Sequence, residues 1–325
     1  MLQIVMQLSL QACTWVNSIS LATIFSMNFS IKTRQPRVFA LTTSRISAAL
    51  ITTTLFFSSL FYNALSNNAQ AAGREQITTT SHLNGSPVNA YFIPPTQPNV
   101  TGPSTLIVYH HGTTSNIDEP FVLPPGSPTG PVMTSIYPMY GFLSVGLAHT
   151  WANPAALQDI GEAITKVQDK YKFDRIIYIG ASMGGCNLLS FIEQAPPAIK
   201  NKSECILVIV SCGDLANLYK LTSEKVVKES LKNTLGGTPA EKKKEYKARS
   251  FIPNIKEFPK TVKVVIISHL EDTTMPPKLQ NQLYRALVSN GNPTKFIERK
   301  GTHGTWPTAT QFQFYVDHII HKRLM

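Results

Sequence analysis

The first 72 residues contain no aspartate and no glutamate, although Lys32, Arg34, Arg37 and Arg45 lie among them. What stands there instead follows the plan of a secretory leader. Lys32 to Arg45 form a basic start. Ile46 to Tyr62 carry no charge and include Leu50, Ile51, Leu55, Phe56, Phe57, Leu60 and Phe61. Ala69-Gln70-Ala71 fits a small-residue cleavage site, with cutting after Ala71 or nearby. Also missing is an unbroken apolar run of the ~20 residues that a bilayer span needs, because serines and threonines interrupt 52–59. An uncleaved anchor is the alternative. Residues 1–26 have no place in such a leader, and Met27 begins one of ordinary length, so Met1 reads as an over-extended start. The expectation is a region 1–72 for targeting and a domain over 73–325. That domain is expected to be secreted or periplasmic, or membrane-anchored if the leader stays on.

Cysteine is scarce, at 4 in 325 residues. Cys205 and Cys212 flank one predicted strand, whose seven residues span roughly 23 Å, far beyond the ~7 Å between Cα atoms that a disulfide allows. They cannot bridge each other across a strand. Buried thiols are expected, a bridge from Cys186 to Cys205 or Cys212 stays open, and an odd count leaves one free. No internal repeat is visible. Acidic residues are the minority, 19 against 30 basic, for a net charge of +11. Much of that excess sits in Glu241-Lys242-Lys243-Lys244-Glu245-Tyr246-Lys247-Ala248-Arg249, where both signs mix on a predicted helix. That is a solvated face and not a nucleic-acid surface.

Hydrophobic residues make up 43% of the chain, enough for a sizeable core. Predicted strands are Val88 to Ile93, Thr105 to Tyr109, Gly141 to Ala148, Arg175 to Ile179, Cys205 to Val210, Val262 to Ser268 and Lys295 to Glu298. Between them, Ala155 to Tyr171 has a helical stripe of Ala156, Leu157, Ile160, Ala163, Ile164 and Val167. Pro277 to Ser289 should turn Leu279, Leu283, Leu287 and Val288 inward. Thr308 to Ile320 reads as a closing helix. Strands alternating with helices imply parallel pairing. Pro120 to Pro138 reads as a long irregular loop. The polar stretch over about 215–260 reads as a small helical cap insertion.

The stretch with the most chemistry is Gly180-Ala181-Ser182-Met183-Gly184, a G-x-S-x-G match between a buried strand and a helix. A serine on such a turn takes strained backbone angles, and its oxygen stands clear of the sheet. Gly180 and Gly184 let strand and helix pass closely. The helix N-terminus turns the Met183 N–H toward a developing oxyanion. Thr105 to Tyr109 run into His110-His111-Gly112-Thr113-Thr114, where the Thr113 N–H could be the partner donor. The other reading of that piece is an ordinary strand exit, with both histidines satisfied by nearby carbonyls.

A nucleophilic serine needs a base and a group to orient it. Val262 to Ser268 open into His269-Leu270-Glu271-Asp272-Thr273-Thr274-Met275-Pro276, at the edge where open α/β sheets build their sites. Asp272 is the expected orienting acid, and Asp214, which also follows a strand, is its rival. The last strand leads to Gly301-Thr302-His303-Gly304. Histidine can take and return a proton near neutrality because its ordinary pKa is about 6.5. His269 is expected to pack under the acid loop. The order Ser182, Asp272, His303, each after a strand, gives catalysis its case.

With these pieces assembled, the sequence resembles an α/β-hydrolase, and within that group the prolyl oligopeptidase-like hydrolases and their single-domain esterase relatives. His111-Gly112, Gly180 to Gly185, Gly236-Gly237-Thr238-Pro239 through Ala248-Arg249-Ser250, His269 to Pro276 and Gly301 to Gly304 carry the resemblance. It implies an α/β fold, a mostly parallel sheet with helices on both faces. It implies a Ser182–His303–Asp272 triad with Met183 and Thr113 as oxyanion donors, and an acyl-enzyme route without metal or organic cofactor. The expected activity is hydrolysis of a small or polymeric carboxylic ester. The alternatives are a peptidase or amidase, or a hydrolase-fold binding protein without catalysis.

Overall fold

The computed structural model describes residues 73–96, 102–113, 115–121, 139–146, 151–308, 311–312 and 314–315. The leader over 1–72 and most of the proline-rich loop over 120–138 lie outside the described residues, as does most of the closing helix over 308–320. Eight strands form one sheet: β1 (Glu75–Thr80), β2 (Pro87–Ile93), β3 (Thr105–His110), β4 (Gly141–Val145), β5 (Arg175–Ala181), β6 (Ser203–Ile209), β7 (Lys263–His269) and β8 (Thr294–Arg299). Their spatial order is β1-β2-β4-β3-β5-β6-β7-β8. β1, β2 and β4 pair antiparallel, and every pairing from β4 through β3 to β8 is parallel. β3 and β5 are buried along their whole length, as their near-continuous Ile, Leu, Val and Tyr runs require in a sheet covered on both faces. β1, with sequence EQITTT, is mostly exposed or half-buried at the edge and carries no strand signal beyond its threonines.

The helices are α1 (Pro154–Tyr171), α2 (Met183–Gln194), α3 (Pro197–Lys200), α4 (Leu215–Leu221), α5 (Lys225–Leu235), α6 (Lys243–Arg249), α7 (Phe251–Asn254) and α8 (Pro277–Asn290). α1 starts where Asn153 accepts the Ala155 N–H and Pro154 presets the first turn, and it ends at Lys172 in the left-handed region. Its predicted stripe is buried throughout. Each large aliphatic side chain there contributes about 1.5–3 kcal/mol by leaving water. On α8, Leu279, Leu283 and Leu287 are buried, but Val288 is 49% exposed. Val288 sits in the last turn of the helix, about 100° round from Leu287, whereas Gln280, in the first turn, is buried and donates its side-chain amide to the Met275 carbonyl at 2.6 Å.

Three apolar clusters follow from this layering. One joins sheet, α1, α2 and α8. One fills the opposite sheet face. The third packs Leu215, Leu218, Val227, Leu231, Leu235 and Tyr246 of the cap helices against Trp151, Met183, Cys186, Cys212 and Met275. The region predicted as a cap is therefore four short helices and a 3-10 turn, of which α4, α5 and α6 meet the residues after Ser182 and Asp272, while Phe251 of α7 joins the first cluster. No described helix is long and apolar enough to cross a membrane.

Candidate active site

β5 delivers Ser182 directly, and α2 starts one residue later. Ser182 has φ 53° and ψ −123°. For a residue with a β-carbon that conformation costs of order 1–3 kcal/mol and must be held by its surroundings. Its N–H donates to the Ile209 carbonyl at 2.9 Å. Its carbonyl accepts the Ser211 hydroxyl at 2.6 Å and the Gly185 N–H at 3.2 Å. The flanking glycines leave the room this needs. A β-carbon on Gly180 would stand 2.7 Å from the Gly184 backbone, and one on Gly184 would run into the His110 carbonyl oxygen.

The structure brings three distant side chains into one line. His303 Nε2 lies 3.0 Å from Ser182 Oγ, and His303 Nδ1 lies 2.8 Å from Asp272 Oδ2. A carboxylate can only accept, so Nδ1 carries the hydrogen and Nε2 faces the hydroxyl as acceptor. Asp272 is buried, and its other oxygen accepts the N–H groups of Thr274 and Met275 at 2.9 and 2.8 Å. The carboxylate is thus clamped by its own loop before it meets the imidazole. His269 sits beneath, its Nδ1 2.8 Å from the Thr302 carbonyl, and burial lowers its pKa. Gly301, at φ 140°, is the glycine that this turn requires, whereas a β-carbon on Gly304 would meet nothing.

Asp214 is not part of that line. It caps α4, accepting the Asn217 N–H at 3.0 Å and the Asn217 side-chain amide at 2.9 Å. His110 and His111 bond neighbouring carbonyls, Nδ1 to oxygen at 3.0 and 2.7 Å. His110 is wholly buried, and burial pushes its pKa down to about 3, so it stays neutral. Gly112 lies against the nucleophile, since a β-carbon there would stand 3.7 Å from Ser182 Cβ. Thr113 lines the same cleft as Ser182. Met183 is the first residue of α2, where an N–H has no partner within the helix.

The cleft holds about 310 Å³ and is lined by Thr113, Glu119, Ser182, Glu224, Val227, His303 and Trp306, among others. A larger hollow of about 700 Å³ between Asn217, Lys278 and Arg285 contains no member of the hydrogen-bonded line. The smaller cleft is the site, because the reactive oxygen opens into it. Among the described residues, no three His, Cys, Asp or Glu side chains gather to hold a metal ion.

Glu119 is the residue that sequence reasoning missed; an acid inside an irregular loop carries no local signal. Its Oε2 accepts the Gly112 N–H at 3.1 Å, with Tyr109 and Ser115 hydroxyls as further partners. Burial nevertheless pushes its carboxyl from 4.5 up to about 7. Between those two values the folded chain holds a proton that the unfolded chain has released. Stability attributable to this group therefore falls as pH rises through that window, and the cost is complete above it. Glu119→Gln keeps an acceptor for Gly112 without the titration. Relative to that variant, the wild type should lose on the order of 2 kcal/mol between pH 4.5 and 7.5. Urea unfolding at both pH values measures this, and parallel pH trends for the two proteins would refute it.

The profile of the prolyl oligopeptidase family matches residues 152–316. No curated sequence matches the chain. Among solved structures, an acylaminoacyl peptidase of Pyrococcus horikoshii superposes with a TM-score of 0.60 at 15% identity, covering 78% of this chain and 42% of that one. A puromycin-hydrolyzing peptidase of Mycobacterium tuberculosis gives 0.58 at 18%, with 77% and 39% covered. A dipeptidyl peptidase 4 of Porphyromonas gingivalis gives 0.53 at 14%, with 76% and 34% covered. The chain thus spans about two-fifths or less of the length of these neighbours, and at such identities the likeness is one of fold.

Proposed function

Because the chain belongs to the prolyl oligopeptidase family of serine hydrolases, we propose that it is a serine peptidase or amidase that cleaves a small acyl-amide or peptide bond. The sequence alone pointed first to carboxylic esters. The family match and the peptidase neighbours favour the alternative that it kept open. The observation that carries the reading is the unbroken line Ser182–His303–Asp272 at the mouth of one cleft.

The chemistry follows from that line. His303 Nε2 takes the hydroxyl proton as Ser182 Oγ attacks the carbonyl carbon. Asp272, fixed by two backbone N–H groups, holds the imidazole in the required tautomer and balances the imidazolium that forms. The N–H groups of Met183 and Thr113 receive the oxyanion. His303 then gives its proton to the leaving amine, and water releases the acyl group by the same steps in reverse order of roles. A cleft of about 310 Å³ suits a compact acyl group near the serine.

The test sets aminoacyl p-nitroanilides and short peptides against p-nitrophenyl esters with the purified protein. Turnover of at least one amide that disappears in Ser182→Ala supports the proposal. Turnover of esters alone returns the assignment to esterase. Absence of both, with no labelling of Ser182 by a fluorophosphonate, leaves the binding-protein reading.

A further inference from the structure

Two thiols lie immediately behind the nucleophile turn. Cys186 occupies the first turn of α2, and Cys212 follows β6 on the way to α4. Their sulfurs are 3.5 Å apart, although the residues are 26 positions apart in sequence. Both are buried, 3% and 0% exposed, in the cluster that joins the cap helices to the elbow. Cys186 Sγ also lies 3.2 Å from Ser211 Oγ, and that hydroxyl donates to the Ser182 carbonyl. Cys205 packs in a different cluster, on the opposite sheet face.

The geometry points to a disulfide between Cys186 and Cys212 that staples the elbow helix to the connection leading into the cap. A disulfide needs its sulfurs at about 2.05 Å, so they must approach by roughly 1.5 Å, within reach of small side-chain rotations. The exchange needs one thiolate, and while the chain folds either sulfur is open to solvent and can supply it, with the same bond as the result. The oxidant is a disulfide of low molecular weight or of an oxidoreductase. With Cys186 attacking first, the thiolate displaces one of the oxidant's sulfurs to give a mixed disulfide. The Cys212 thiol then loses its proton, attacks Cys186 Sγ and expels the second oxidant sulfur. Two protons leave, one bond forms in the protein, and the oxidant departs as two thiols. Since packed sulfurs here are closed to solvent, the bond forms while the chain folds. Neither the proposal nor its test depends on which bond the protein hydrolyses.

The experiment refolds the reduced full chain in oxidised and reduced glutathione, blocks remaining thiols with iodoacetamide under denaturing conditions, and maps peptides without reduction. Cys205 and Cys212 share one tryptic peptide, so fragmentation of the cross-linked species assigns the sulfur. A link from Cys186 to Cys212, with Cys205 alkylated, is the expected result. It should persist in Cys205→Ser and vanish in Cys212→Ser. An alkylated Cys186, or a link to Cys205, overturns the proposal. The bridged form should also melt roughly 5–10 °C above the reduced form, as expected for closing a loop of this size in a domain of this length. An unchanged melting temperature would overturn the stapling role even if the link were found.

Discussion

Ser182→Ala is expected to lower turnover by about 10⁴- to 10⁶-fold while leaving the protein folded. Alanine keeps the β-carbon, so the strained turn at φ 53° is neither relieved nor worsened, and the Ile209 and Ser211 backbone contacts remain. His303→Ala should remove activity to a similar extent, because members of such a unit do not contribute independently. Its stability cost differs. The imidazole is 27% exposed, but it serves a carboxylate that is fully buried. Removing it leaves Asp272 Oδ2 without that partner, at about 1–3 kcal/mol. Initial rates and thermal melts of both variants read the two effects separately. Activity in Ser182→Ala above one hundredth of wild type would sink the assignment of the nucleophile.

The second large effect separates the two acids. Asp272→Asn presents an amide where His303 Nδ1–H needs an acceptor. The ring is then driven toward the tautomer that points a hydrogen at Ser182, and a loss of about 10³- to 10⁴-fold in kcat is expected. Asp214→Asn should change kcat less than about threefold, because Asp214 only caps α4 and asparagine caps almost equally well. The comparison uses kcat at one saturating substrate concentration, with melts to confirm folding. A larger loss in Asp214→Asn than in Asp272→Asn would move the acid to the end of β6.

Why these three residues could be read from the sequence is a matter of local signals. His303 follows β8, which is half exposed and polar, and its mark is the Gly301 to Gly304 turn instead. β5 and β7 are mainly apolar runs, and each ends in the short turn that carries Ser182 or Asp272. Buried parallel strands with functional loops at one end leave that trace. The helical stripe of α1 was equally plain and came out within one residue of its start. The failures have physical causes too. β1 has polar side chains and is recognisable only through its backbone pairing with β2, which sequence spacing does not record. The strand predicted over 141–148 ends at Val145, opposite His110, the last residue of its parallel partner β3. Glu119 belongs to the tertiary arrangement alone, and nothing near it in sequence marks it as the acceptor for Gly112. The sequence leaves open a bridge from Cys186 to Cys205 or Cys212, and only the fold shows which of the two meets Cys186.

The cap has a bearing on how substrates enter. Its helices do not rest on the sheet as a separate body. Leu231, Leu235 and Tyr246 share one interior with Met183 and Met275, the first residue past the nucleophile and the residue that clamps the acid. Trp151 adds a bond to it, donating its indole N–H to Ser230 of α5 at 2.8 Å. Swinging such a roof open would tear apart the floor on which proton transfer depends. Heat that loosens these cap helices should therefore silence the reaction in the same step, since the packing beside Ser182 and Asp272 loosens with them.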